Sequence, residues 1–229
     1  MKNRLIILIV WTLAAMLGVA CEKMNDIHDE YLKNGPIVYI GRVDSMYVYS
    51  GRERVQVDYW ITDPRAKELC FYWNNKKDSA RFAVSEHNPS EVQTLIIDPI
   101  SEGDFTFQVF SYDGKGHRSI KFEQGFSVYG DVYSSTLNNR ALRSVTVGVN
   151  KLTLTWGNSS SIQEQAVYIT YTSPDGAPQT MIVPSAYLAG ATVLENVDLS
   201  LPVTYCTVYL PNEQAIDYFF SETAVVPVG

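Results

Sequence analysis

The residues with reactive side chains are few and widely spaced. Three cysteines stand at 21, 70 and 206, and three histidines at 28, 87 and 117. No two of these share the short spacings that hold zinc or another metal, and there is no C-x-x-C pair. The chain has no G-x-S-x-G elbow, no H-E-x-x-H and no glycine-rich phosphate loop. Carboxylates are plentiful, but none is paired by a pattern that marks an acid and a base. Asp113-Gly114-Lys115-Gly116 could hold an ion, yet its composition is that of a tight turn between strands. Gly51 to Val55, "GRERV", is either a charged recognition loop or a solvated turn. The chain is therefore read as non-enzymatic, without metal or cofactor.

One cysteine has a distinctive setting. Lys2 and Arg4 precede an apolar run from Leu5 to Val19, about fifteen residues and short for a bilayer span of roughly twenty. Charge, then apolar run, then the small residues Gly18, Val19 and Ala20 before Cys21 make a secretion signal. The last four positions resemble the lipobox of bacterial lipoproteins, with Gly18 where that box usually carries Leu. The resemblance implies cleavage before Cys21, diacylglycerol on its thiol, and attachment to a membrane by acyl chains alone. Residues 22–36, "EKMNDIHDEYLKNGP", are polar and mostly acidic and are read as a tether. Acidic residues soon after the cysteine resemble the surface-export signals of Bacteroidota lipoproteins. The expected location is the outer membrane, facing outward, with the periplasmic face as the alternative.

Removal of Lys2 and Arg4 with the signal takes the formal charge from −7 to −9. No Lys/Arg stripe remains to suit nucleic acid. Cys70 and Cys206 fall in different expected domains within strand-like runs and are read as small apolar side chains without a disulfide.

The elements that must position everything else are strands. Beyond the signal no window keeps a helical period, whereas period-two runs recur between turn residues. The runs lie near 43–49, 54–61, 67–73, 80–84, 92–97, 104–112 and 120–128. A second series lies near 143–149, 151–156, 165–172, 178–183, 191–195, 203–210 and 217–225. Seven short strands, twice over, predict an all-β chain of two β-sandwiches. The expected organisation is a signal peptide over 1–20, lipidated cysteine and tether over 21–36, and sandwiches over 37–130 and 131–229.

The alternation also assigns faces. With Val55, Val57 and Tyr59 inward, Gln56, Asp58 and Trp60 point out. With Phe105, Phe107 and Val109 inward, Gln108, Phe110 and Tyr112 point out or toward a domain junction. In the second half Leu152, Leu154 and Trp156 share the inward face, followed by Val167, Ile169 and Tyr171, leaving Tyr168 outside.

The tryptophan-bearing strand "KLTLTW", the alternating strand after it and Pro202-x-x-Tyr205 look like fibronectin type III or related immunoglobulin-like domains. From Cys21 to about Gly130 the chain also resembles Bacteroidota lipoproteins catalogued under domains of unknown function, through an opening like "CEKMNDIHDEYLKNG...VYIGRVDS". That resemblance implies an envelope protein encoded near glycan-acquisition systems. Anchor, tether, rigid sandwiches and outward aromatics together suggest a binding module for carbohydrate or glycoconjugate. Trp60 is the expected platform, with Asp58, Phe110 and Tyr112 around it. The alternative is a structural spacer or a protein–protein adhesion module of an envelope assembly.

Overall fold

The computed structural model describes residues 38–86, 88, 90–159 and 161–228, and residues 40–229 form one compact unit. The expected signal peptide, lipidated Cys21 and tether lie outside the described residues. The chain is nearly all-β, as the alternation predicts.

The short β1 (Tyr39–Ile40) joins the larger sheet of the first sandwich beside its eighth strand. That sandwich comprises β2 (Ser45–Ser50), β3 (Val55–Trp60), β4 (Glu68–Trp73), β5 (Asp78–Ala83), β6 (Gln93–Ile97), β7 (Gly103–Tyr112), β8 (Arg118–Ser119) and β9 (Phe122–Val128). One sheet has the order β2-β3-β6. In the other, β5, β4 and β7 run side by side, and both β8 and β9 pair with β7. The inward residues are those assigned from the alternation. Val55, Val57 and Tyr59 meet Leu69, Phe71 and Trp73 across the core, with Phe107 and Val109 from β7. Phe107 stacks on Phe126 with ring centroids 4.0 Å apart and meets Phe71 and Trp73 edge-on. Each fully buried side chain of this size contributes about 1.5–3 kcal/mol by leaving water.

The second sandwich repeats the plan. Its strands are β10 (Leu142–Gly148), β11 (Lys151–Trp156), β12 (Glu164–Thr172), β13 (Pro178–Pro184), β14 (Thr192–Glu195), β15 (Thr204–Tyr209), β16 (Phe219–Phe220) and β17 (Ala224–Val225). The sheets are β10-β11-β14 and β13-β12-β15, with β16 and β17 both on β15. In each half, the first, second and fifth strands face the third, fourth, sixth and last. This is the arrangement that the fibronectin type III resemblance implies. Trp156 is buried against Tyr205, ring centroids 5.4 Å apart, and its indole N–H donates to Thr192 Oγ1 at 2.9 Å. Tyr205, from the Pro-x-x-Tyr entry, thus packs onto the core tryptophan.

Two details depart from the expected strands. The run near 217–225 is two short strands, because the Ser221 hydroxyl accepts the Thr207 N–H that an unbroken ladder would give to backbone. The other departure is a helix, α1 (Asp131–Thr136), just after the first sandwich. Its first turn is capped by the Glu102 carboxylate, which accepts the N–H groups of Val132 and Tyr133 at 2.8 and 2.7 Å.

"GRERV" joins the two halves. The Arg54 guanidinium donates two hydrogen bonds to the Asp217 carboxylate at 2.9 and 2.6 Å, and the Arg52 N–H donates a third. Arg52 also ion-pairs with Asp131 and lies 4.7 Å over the Phe219 ring. Tyr129, Tyr133 and Phe219 pack as an aromatic cluster beneath it. These aromatics stand at the junction, and Phe110 and Tyr112 lie elsewhere.

Candidate functional site

The outer face of β2-β3-β6 is built by register. On β3, Gln56, Asp58 and Trp60 point away from the core. Their Cα partners on β2 are Tyr49, Tyr47 and Ser45, and those of Gln56 and Asp58 on β6 are Ile96 and Thr94. Cross-strand partners share a face, so three strands together present an aromatic and polar surface. Tyr47 is 56% exposed and meets the half-buried Trp60 edge-to-face, with centroids 5.9 Å apart. Asp58 sits at the centre. Its Oδ1 accepts from Thr94 Oγ1 at 2.7 Å and from Gln56 Nε2 at 3.1 Å. Burial raises the Tyr49 phenol above its ordinary pKa, and the neighbouring Asp58 carboxylate raises it further. The carboxylate is thereby held in one orientation beside two aromatic rings.

Phe110 and Tyr112 occupy another surface. They project from β7 on the outer side of the second sheet, so the sandwich core lies between them and Trp60. Stacked sheets stand about 10 Å apart, and the four expected residues therefore form two pairs on opposite faces. Alternation along one strand fixes inside against outside, but not to which sheet a strand belongs. Both rings are half-buried and partly covered: Arg118 lies 5.2 Å over Phe110, and Arg81 5.7 Å over Tyr112. Cys70 is fully buried on this same outer side, with Phe110 and Arg81 as its Cα partners. The phenol of Tyr72 is pushed up to about 12, first by its hydrogen bond with Cys70 and then by burial. Cys206 is half-buried, both cysteines are free thiols, and burial raises the Cys206 thiol. In the second sandwich Tyr168 lies outside its core and meets Phe220 edge-on.

Sequence reasoning placed Gln56 outward beside Asp58 but missed Tyr47, Tyr49 and Thr94 as its neighbours. The parity of "SMYVYS" carries the signal for the tyrosines, since Met46 and Val48 pack on the core. The Asp113–Gly116 stretch is a turn. Gly114 and Gly116 have φ of 75° and 96°, and the Asp113 carboxylate accepts the N–H groups of Lys115 and His117.

Fold and surface thus define a double β-sandwich protein with one aromatic, carboxylate-centred sheet face. The chain belongs to DUF4998, a family described as a domain of unknown function, whose model matches residues 21–219. No curated protein matches the sequence. Among solved structures it is similar to the FN1–FN3 domains of chicken CNTN1, with 11% identity and a TM-score of 0.42. That match covers 82% of this chain and 65% of the other, so the chain spans less than two thirds of that structure. It is also similar to a two fibronectin type III domain segment of chicken tenascin, with 12% identity, a TM-score of 0.32, and coverage of 81% and 97%.

Proposed function

We propose that this protein is a non-catalytic binding module, held by acyl chains on Cys21 at the surface of the outer membrane, which takes carbohydrate on the outer face of β2-β3-β6. The observation that carries this reading is the Tyr47–Trp60 pair beside the Asp58, Gln56 and Thr94 network. Aromatic rings receive the apolar C–H face of a sugar, and fixed acceptors and amides beside them receive its hydroxyls. A three-stranded sheet face is rigid and open, which suits a chain lying across it better than a small molecule enclosed by it. Glycan-array screening of the full chain is expected to give a polysaccharide hit that Trp60→Ala and Tyr47→Ala each weaken at least tenfold. Binding that is unchanged in both variants, or no glycan bound, overturns the reading. Metabolic labelling with a clickable fatty acid tests the anchor, with Cys21→Ala expected to abolish the label.

A second reading, a spacer or protein-binding module, is favoured by a different observation. The junction is tied by Arg54–Asp217, Arg52–Asp131 and the Tyr129, Tyr133 and Phe219 cluster. Two sandwiches tied together in this way could serve to hold a partner in place. Under this reading, cutting the junction changes assembly while Trp60→Ala does not.

A further inference from the structure

A second concavity lies in the first sandwich, on the side opposite Trp60. The turn after β4, Asn74–Lys76, closes a pocket of about 280 Å³ against the start of β7. Its floor is the outer face of the second sheet. Tyr72 on β4 and Gln108 on β7 are Cα partners, and Asp104 and Thr106 precede Gln108 at the same parity. Asn75 and Lys76 form the rim.

The backbone of that rim is unusual. Asn74, Asn75 and Lys76 have φ of 49°, 55° and 64°, three successive left-handed residues without a glycine. None of the three is buried, so core packing does not account for a conformation that L-residues disfavour. The side chains around the pocket divide into committed and uncommitted groups. Asn74 Nδ2 donates to Asp78 at 2.9 Å, Asp104 Oδ1 accepts from Ser127 at 2.6 Å, and Gln108 Nε2 donates to Glu123 at 3.3 Å. Asp104 Oδ2, Gln108 Oε1, the Asn75 amide, the Lys76 ammonium and the Thr106 hydroxyl have no protein partner among the described residues. Uncommitted donors and acceptors thus line one small space, beside the half-buried ring of Tyr72.

We infer that this pocket binds a single neutral pyranose ring. The volume is just below the usual range of ligand pockets, which limits the occupant to one ring. Lys76 and Asp104 cancel in formal charge, so an acidic sugar meets Asp104 and an amino sugar meets Lys76. Mixed donors and acceptors beside the Tyr72 ring are what vicinal hydroxyls on a C–H-faced ring require. This site is separate from the Trp60 face and does not depend on it.

The test is an amide ¹H–¹⁵N titration of the full chain with galactose, mannose, N-acetylglucosamine and galacturonate. At least one neutral sugar is expected to give saturable shifts at Asn75, Lys76 and Thr106, with a Kd on the order of 1 mM. Asn75→Gly keeps the left-handed backbone and removes the amide, and Thr106→Ala removes an exposed hydroxyl. Each is expected to weaken binding at least tenfold, while Trp60→Ala leaves it unchanged. The inference is overturned if no neutral sugar saturates these amides or galacturonate binds as tightly. It is also overturned if both pocket variants bind as the parent does, or if Trp60→Ala abolishes the shifts.

Discussion

The two sandwiches share a strand order and differ in what they place on it. On the outer face of β2-β3-β6 stand Tyr47, Tyr49, Asp58 and Trp60. The corresponding rows of β10-β11-β14 are Ser144 with Thr155, Thr146 with Thr153 and Val193, and Gly148 with Lys151 and Glu195. Threonine and valine there satisfy a strand's preference for β-branched residues, Ser144 and Thr155 hydrogen-bond at 2.6 Å, and Lys151 ion-pairs with Glu195. Among the described residues, no aromatic stands in these rows. Charge differs as well. Residues 38–130 carry eleven Lys/Arg against thirteen Asp/Glu, and residues 131–229 three against eight. The same scaffold thus presents an aromatic, mixed-charge surface in one half and a plain acidic one in the other. The interiors are reversed. The first core is an apolar aromatic stack, whereas the second half buries an ion pair, Arg140–Glu164, at 2.5 Å with the two side chains 7% and 1% exposed.

That contrast is sharpest under mutation. Glu164 also accepts from Ser159 and Ser185, and Arg140 donates to the Gly157 carbonyl. Glu164→Ala strands a buried guanidinium and is expected to cost about 3–5 kcal/mol. Urea unfolding should then turn biphasic, with the second half melting first. A single unshifted transition would mean that the pair contributes little. Trp156→Phe removes the indole donor to Thr192 and should cost about 1–3 kcal/mol, again in the second half alone.

Smaller effects probe the connection between the halves. Arg54→Ala removes a bidentate but half-exposed pair and is expected to cost about 1 kcal/mol or less. Its clearer readout is the separation of the two unfolding transitions in calorimetry. The smallest effect is in acid. Hydrogen bonding from Arg54, together with the Arg52 N–H and both positive charges, holds the Asp217 carboxyl below its ordinary value. A carboxyl depressed in the folded state stabilises fully above the unfolded pKa of about 3.9, and that contribution is lost as pH falls through the lower folded value. Asp217→Asn should flatten the stability profile below about pH 4 and leave its shape unchanged near neutrality. Arg54→Ala should flatten the same window.

Most strands were legible because burial on one face forces alternation. "VQVDYW" and "KLTLTW" expose their inward sets directly, and both sets are buried. The final strand was less legible, because the Ser221 hydroxyl that interrupts it forms a side-chain bond invisible to any period. The role of "GRERV" was hidden for a different reason. Arg54 and Asp217 are 163 residues apart, and neither position carries a pattern. Trp60 and Asp58 were legible as outward neighbours, two apart on one strand. Their grouping with Phe110 and Tyr112 was not, because parity is counted separately along each strand. The pocket rim escaped likewise, since Asn75 and Lys76 meet Asp104 and Thr106 only across a strand pairing about thirty residues away in sequence.

By itself the sequence determined the strands, their inward residues and the double-sandwich plan, because a side chain's face follows from local alternation and the need to leave water. The tertiary structure decided which outward residues share a surface, which arginine meets which aspartate, and where a pocket closes. Those outcomes depend on which strands pair and in which sheet, and such pairings are fixed by contacts between residues far apart in the chain.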